Sequence, residues 1–154
     1  VPAGAIGYRN QPEKTMRNLF AAAALMATML SGAGIAADAP ANAYCYIGWP
    51  SNGQVIPAGK PFRVWFGLRN MGVAPKGVAF NNTGHHHLLI DVDLPPAGQE
   101  IPSDRNHLHF GAGETETTIE LPPGKHTLQL LMGDEHHVPH TPPVASQKIT
   151  ITVK

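Results

Sequence analysis

With 154 residues and eleven basic against eleven acidic side chains, the chain has room for one domain and a tail. It carries no charge excess suited to a nucleic-acid backbone. A single cysteine, Cys45, excludes an intrachain disulfide and a thiolate-rich metal site.

The chain opens on Val1, and Met16 reads as a natural start, with residues 1–15 an upstream extension. Arg17, the apolar run 19–30 and the small residues of 31–36, with Gly34 and Ala36 at −3 and −1, form the pattern of a signal peptide over residues 16–36. The run falls short of the ~20 apolar residues that a membrane span needs. The expected product is a periplasmic or secreted protein that begins near Ala37 and does not insert into the membrane.

Residues 37–43 read as a flexible leader. Residues 44–50 are aromatic and β-prone, and 62–68 alternate, with Phe62, Val64, Phe66 and Leu68 on one face. A Gly/Pro/Asn-rich connection over 69–84 is longer than most loops in a compact domain, which points to function. Next come three consecutive histidines, an apolar run and two carboxylates, Asp91 and Asp93. A strand is expected over 88–92, closed by Pro95-Pro96. Extended backbone alternates its side chains, so His85 and His87 share a face with Leu89 and Asp91, while His86 joins Leu88, Ile90 and Val92. At least one imidazole therefore points where the core belongs. Short strands are also expected at 107–110, 116–121, 126–132 and 148–153, the last with Ile149, Ile151 and Val153 inward. About seven short strands and no amphipathic helix predict an all-β, immunoglobulin-like antiparallel β-sandwich over residues 44–154.

All nine histidines lie at or after position 85. His-X-His on a strand aims two rings to one side, and the spacing occurs at His85/His87 and at His107/His109. A loop pair, His137 and His140, is placed to close over them. Neutral imidazole is the commonest metal ligand. His85, His87, His107, His109, His137 and His140 are therefore candidate ligands for copper or zinc, with Met71 or Met132 as a soft addition. His86 and His126 are weaker candidates: His86 fits a core histidine, and His126 a hydrogen-bonded packing residue. His136, beside Glu135, fits a solvated side chain. Asp91, Asp93, Asp134 and Glu135 are candidate carboxylate ligands, or acceptors for the far imidazole N–H.

Two other readings remain open: a metal-dependent enzyme with Glu114 or Asp91 as proton acceptor, and a buried imidazole network with a structural or interaction role. A pH-sensing role is a further reading of the same histidines. No nucleophile elbow surrounds Ser51, Ser103 or Ser146, there is no His-Glu-X-X-His, and Cys45 reads as a packing residue.

The segments FGLRNMGVAPKG, TGHHHLLIDVDLPP, HLHFGAG, LPPGKHTLQLLMGD and HVPH followed by PPV occur in that order. Together they resemble a group of small exported bacterial proteins known only as a domain of unknown function. The resemblance implies an exported β-sandwich in which His85, His86, His87, His107, His109, His126, His137 and His140 belong together. Where the family pattern commonly has Gln after HFGxG, this chain has Glu114. The resemblance implies no activity.

Overall fold

The computed structural model describes residues 36–154. The expected extension and all but the last residue of the expected signal peptide lie outside the described residues. Nine strands follow in order: β1 (Tyr44–Trp49), β2 (Val55–Ile56), β3 (Phe62–Arg69), β4 (Gly72–Val73), β5 (Thr83–Ile90), β6 (His107–His109), β7 (Glu116–Ile119), β8 (Gly124–Gly133) and β9 (Ile149–Val153). They form a two-sheet β-sandwich, with no helix among the described residues. One sheet runs β1-β3-β7; the other runs β2-β9-β8-β5-β4, with β6 also paired to β5. The strand count exceeds the expected seven because β2 and β4 are two-residue pieces, and both pair in parallel, β2 with β9 and β4 with β5. Ahead of β1, where a flexible leader is expected, Ala39 donates its N–H to the Thr141 carbonyl at 2.8 Å and Thr141 donates to the Ala37 carbonyl at 2.9 Å.

The inter-sheet core follows from period-two patterning. Phe62, Val64 and Phe66 of β3 point inward to meet Leu128, Leu130 and Met132 of β8 and Ile151 and Val153 of β9. On the outer side of β3, Arg63 forms an ion pair with Glu116 of β7. Cys45 is buried in this core, and burial pushes its thiol up to about 12, as expected of a packing residue rather than a nucleophile.

Strand β5 is buried on both faces from Gly84 to Ile90. His86, Leu88 and Ile90 face the inter-sheet core, where the His86 ring lies 5.2 Å from that of Phe66. The other face carries His85, His87 and Leu89. Leu89 packs with Leu131 of β8 and with Ile101 from the loop after β5, in a second, smaller cluster. The strand starts and ends earlier than the expected 88–92. Asp91 adopts a left-handed φ of 58°, which ends the strand and shifts the alternation, so Val92 joins Leu89 and Leu131 rather than Leu88 and Ile90.

Asp91 also fixes His126. Its Oδ2 accepts from His126 Nδ1 at 2.7 Å, and the Pro122 carbonyl accepts from His126 Nε2 at 2.8 Å. Both partners are acceptors, so only the imidazolium satisfies both bonds. Burial works against the charge, yet Asp91 and the Pro122 carbonyl outweigh it, and the His126 pKa is raised. A folded pKa above the unfolded one gives stability that is fully present below the unfolded pKa and lost as pH rises through the folded value. The stability difference between wild type and His126→Ala should therefore be larger at about pH 6 than at about pH 8.5 in urea unfolding. A difference that does not vary with pH would contradict the charged ring.

Candidate metal centre

Register brings the first three rings together. His85 and His87 project from the same face of β5, and β6 pairs antiparallel with β5 so that His109 lies directly opposite His87. Their rings are 5.0 Å apart and nearly parallel, at 26°. The fourth ring, His137, enters from the loop after β8. It has a left-handed φ of 64°, in a turn organised by the buried carboxylate of Asp134. Asp134 Oδ1 accepts from His136 N–H and Val138 N–H, each at 2.9 Å, and His137 N–H donates to the Asp134 carbonyl at 3.0 Å. The His137 carbonyl then accepts from Ile101 N–H at 2.8 Å, tying this turn to the loop after β5.

One ring nitrogen from each of His85, His87, His109 and His137 lies within 4.8 Å of one from every other. His85 and His87 are 0% and 1% exposed and His137 is 5% exposed, while His109 is half-buried. Six ring nitrogens here are buried without a hydrogen-bond partner: both of His85, both of His87, and Nε2 of His109 and His137. On the far side of His137, Nδ1 lies 3.3 Å from the exposed carboxylate of Glu100, which leaves Nε2 facing the cluster. A carboxylate behind a ligating imidazole fixes its tautomer and raises its basicity.

Electrostatics keeps the rings of His85, His87 and His109 neutral. Burial, followed by the neighbouring imidazoles His85, His109 and His137, lowers the His87 pKa to about 2. Burial, then His109 and His137, lowers that of His85 to about 4 against a raising effect from Asp134. Burial also lowers His109, with His137 and Lys76 adding to it. At neutral pH each of these three rings therefore keeps a free lone pair, the form a metal ion binds.

Two glycines make room for the rings. A methyl group on Gly111 would lie 2.6 Å from His109 Nε2, and one on Gly133, which pairs with His85 across the sheet, would lie 2.8 Å from His87 Cε1. Both distances are too short for real contacts, and the obstructing atoms belong to the rings themselves. Gly111→Ala should displace His109 and weaken metal binding about 10–100-fold, the range found when groups that orient ligands are altered. Direct metal titration of the purified variant checks this.

Of the six principal candidates, four converge and two do not. His107 shares the face of His109 but sits opposite Leu89, two residues along, with Nδ1 bound to Asp104 Oδ1 at 2.9 Å. His140 turns aside, its Nε2 donating to the Thr83 carbonyl at 3.2 Å. The two weaker candidates also stand apart, His86 in the inter-sheet core and His126 against Asp91. Met132 is on the opposite face of the sheet, beside His86 in register, and Met71 lies near Gly84 and His140. Among the carboxylates, Asp93 pairs with Lys148, Glu135 lies 3.8 Å from His136, and Asp134 builds the turn. Sequence reasoning missed Glu100, Gly111 and Gly133, none of which carries a distinguishing local pattern.

The chain matches no curated protein and no solved structure. A family profile described as a domain of unknown function matches residues 64–154, from within β3 to the last residue, and so contains all four converging histidines but not β1 or β2. This chain belongs to that family, the domain of unknown function DUF4399.

Proposed function

We propose that the chain is an exported binding domain in which His85, His87, His109 and His137 together hold one transition-metal ion, copper or zinc. The observation that carries this reading is the convergence of four imidazoles that together hold six buried ring nitrogens without partners. A buried polar atom left unsatisfied costs about 1–3 kcal/mol. Coordination would give one nitrogen of each ring a partner. The ring nitrogens, already within 4.8 Å of one another, would each need to move inward by less than about 1 Å to reach bonds of about 2.0–2.1 Å.

A structural imidazole network has less support, because none of the four rings hydrogen-bonds to another among the described residues. The enzyme reading has less support on the side of the base. Asp91 is held by His126 and Thr127, and Glu114 Oε2 accepts from Ala112 N–H at 3.1 Å. Export rests on the sequence of residues 16–36. Amino-terminal sequencing of protein from native cells should place the first residue near Ala37; retention of 19–30 in cytoplasmic protein would overturn it.

The test of the site is equilibrium dialysis of untagged, metal-stripped protein against copper and zinc. One equivalent should be retained by wild type and little or none by His85→Ala/His87→Ala. Equal uptake by both would refute the assignment.

A further inference from the structure

We infer that the site is a closed tetrahedral centre built for zinc(II), and that its geometry works against copper(II). This rests on the metal reading above and adds which ion, in which coordination.

Four points can be equally spaced only as a tetrahedron, and the four rings come close to that. Their six centroid separations are 4.8 Å (His85–His87), 5.0 Å (His85–His109), 5.0 Å (His85–His137), 5.0 Å (His87–His109), 5.6 Å (His87–His137) and 4.1 Å (His109–His137). With metal–nitrogen bonds of about 2.0–2.1 Å, tetrahedral imidazoles have centroids about 5 Å apart. Square-planar imidazoles, the arrangement that copper(II) and nickel(II) favour, would show about 4.5 Å along the edges and about 6.3 Å across both diagonals. No pair reaches that diagonal, and no two opposite pairs are both long.

The fold fixes the backbone positions from which the four rings project. His85 and His87 are fixed by strand pairing on both sides of β5, and His109 by its register opposite His87. His137 stands on the turn built by Asp134. Zinc(II), a d¹⁰ ion with no geometric demand of its own, accepts a tetrahedron at no cost. Copper(II) exceeds zinc in intrinsic affinity for nitrogen sites, so a protein selects against it through geometry. Copper(I) is the other tetrahedral ion, but it is selected by sulfur ligands, and both candidate methionines lie outside the cluster. Four protein ligands complete a zinc shell, as in structural sites, whereas catalytic zinc keeps one position for water.

The experiment uses the full, untagged chain stripped of metal, with cobalt(II) as spectroscopic probe and azide as external ligand. Zinc(II) and copper(II) are then made to compete for the site. The expected result is the intense visible absorption of four-coordinate cobalt(II), unchanged by azide, and a preference for copper(II) over zinc(II) reduced to within about tenfold. Weak six-coordinate absorption, a spectral change on adding azide, or planar copper(II) bound far more tightly than zinc would overturn this inference and leave the metal site standing. No uptake of cobalt, zinc or copper would overturn both.

Discussion

Replacing His87 with leucine should leave the metal-free protein at least as stable as wild type, while abolishing stabilisation by metal. His87 is 1% exposed with both ring nitrogens unpartnered, and its β8 neighbour in register is Leu131. Leucine is of similar bulk and carries no polar atom to bury. Removing a buried unsatisfied group of this kind is expected to be neutral or to stabilise by about 1–3 kcal/mol. In wild type, zinc at 100 to 1,000 times its dissociation constant should add about 2.7–4.1 kcal/mol by mass action. For a domain of this size that raises the melting temperature by roughly 10 °C. The variant should show no such rise. Thermal unfolding of both proteins with and without zinc makes the comparison. A structural imidazole network requires the opposite: a large loss of metal-free stability in the variant and no metal effect in either protein.

Asp134→Ala should be the most damaging change outside the ring set. The carboxylate is buried and takes the N–H groups of His136 and Val138, and its Oδ2 accepts from Ala37 N–H at 3.3 Å. Alanine leaves those donors without partners, at roughly 1–3 kcal/mol each. It also releases the turn that holds His137 at its left-handed φ of 64°. The expected result is a loss of roughly 2–5 kcal/mol in urea unfolding together with loss of tight metal binding. Asp134→Asn keeps Oδ1 as acceptor for both turn N–H groups and should recover most of the binding. If the asparagine variant bound metal no better than the alanine variant, the carboxylate would act through its charge rather than through the turn.

Much of the fold was legible because strands announce themselves by alternation. Alternation puts Phe62, Val64, Phe66 and Leu68 on one face of β3, and that face meets the core, with the first three buried and Leu68 half-buried; the two-sheet architecture follows from the spacing of such runs. The same rule placed His85 and His87 together and His86 in the core. It could not show that loops bury the other face of β5, because loop placement depends on long-range contacts such as Ile101 with Leu131 and Ile101 N–H with the His137 carbonyl. Hence rings that a strand pattern makes half-solvated are in fact enclosed. Register set the second limit. His107 and His109 have the same spacing as His85 and His87, but only the pairing of β5 with β6 decides which of them meets His87. The third limit is small and local. Asp91, read as a member of the ring-bearing face, instead turns the chain out of the strand and holds His126.

The most direct test of the central claim is a zinc titration of the metal-free protein followed through the ring resonances of all nine histidines, labelled with nitrogen-15. At one equivalent, His85, His87, His109 and His137 should move to metal-bound positions, with His137 bound through Nε2. His86, His107, His126, His136 and His140 should keep their metal-free positions. Zinc that left the first four unchanged, or that bound first at any of the other five, would contradict the four-histidine site.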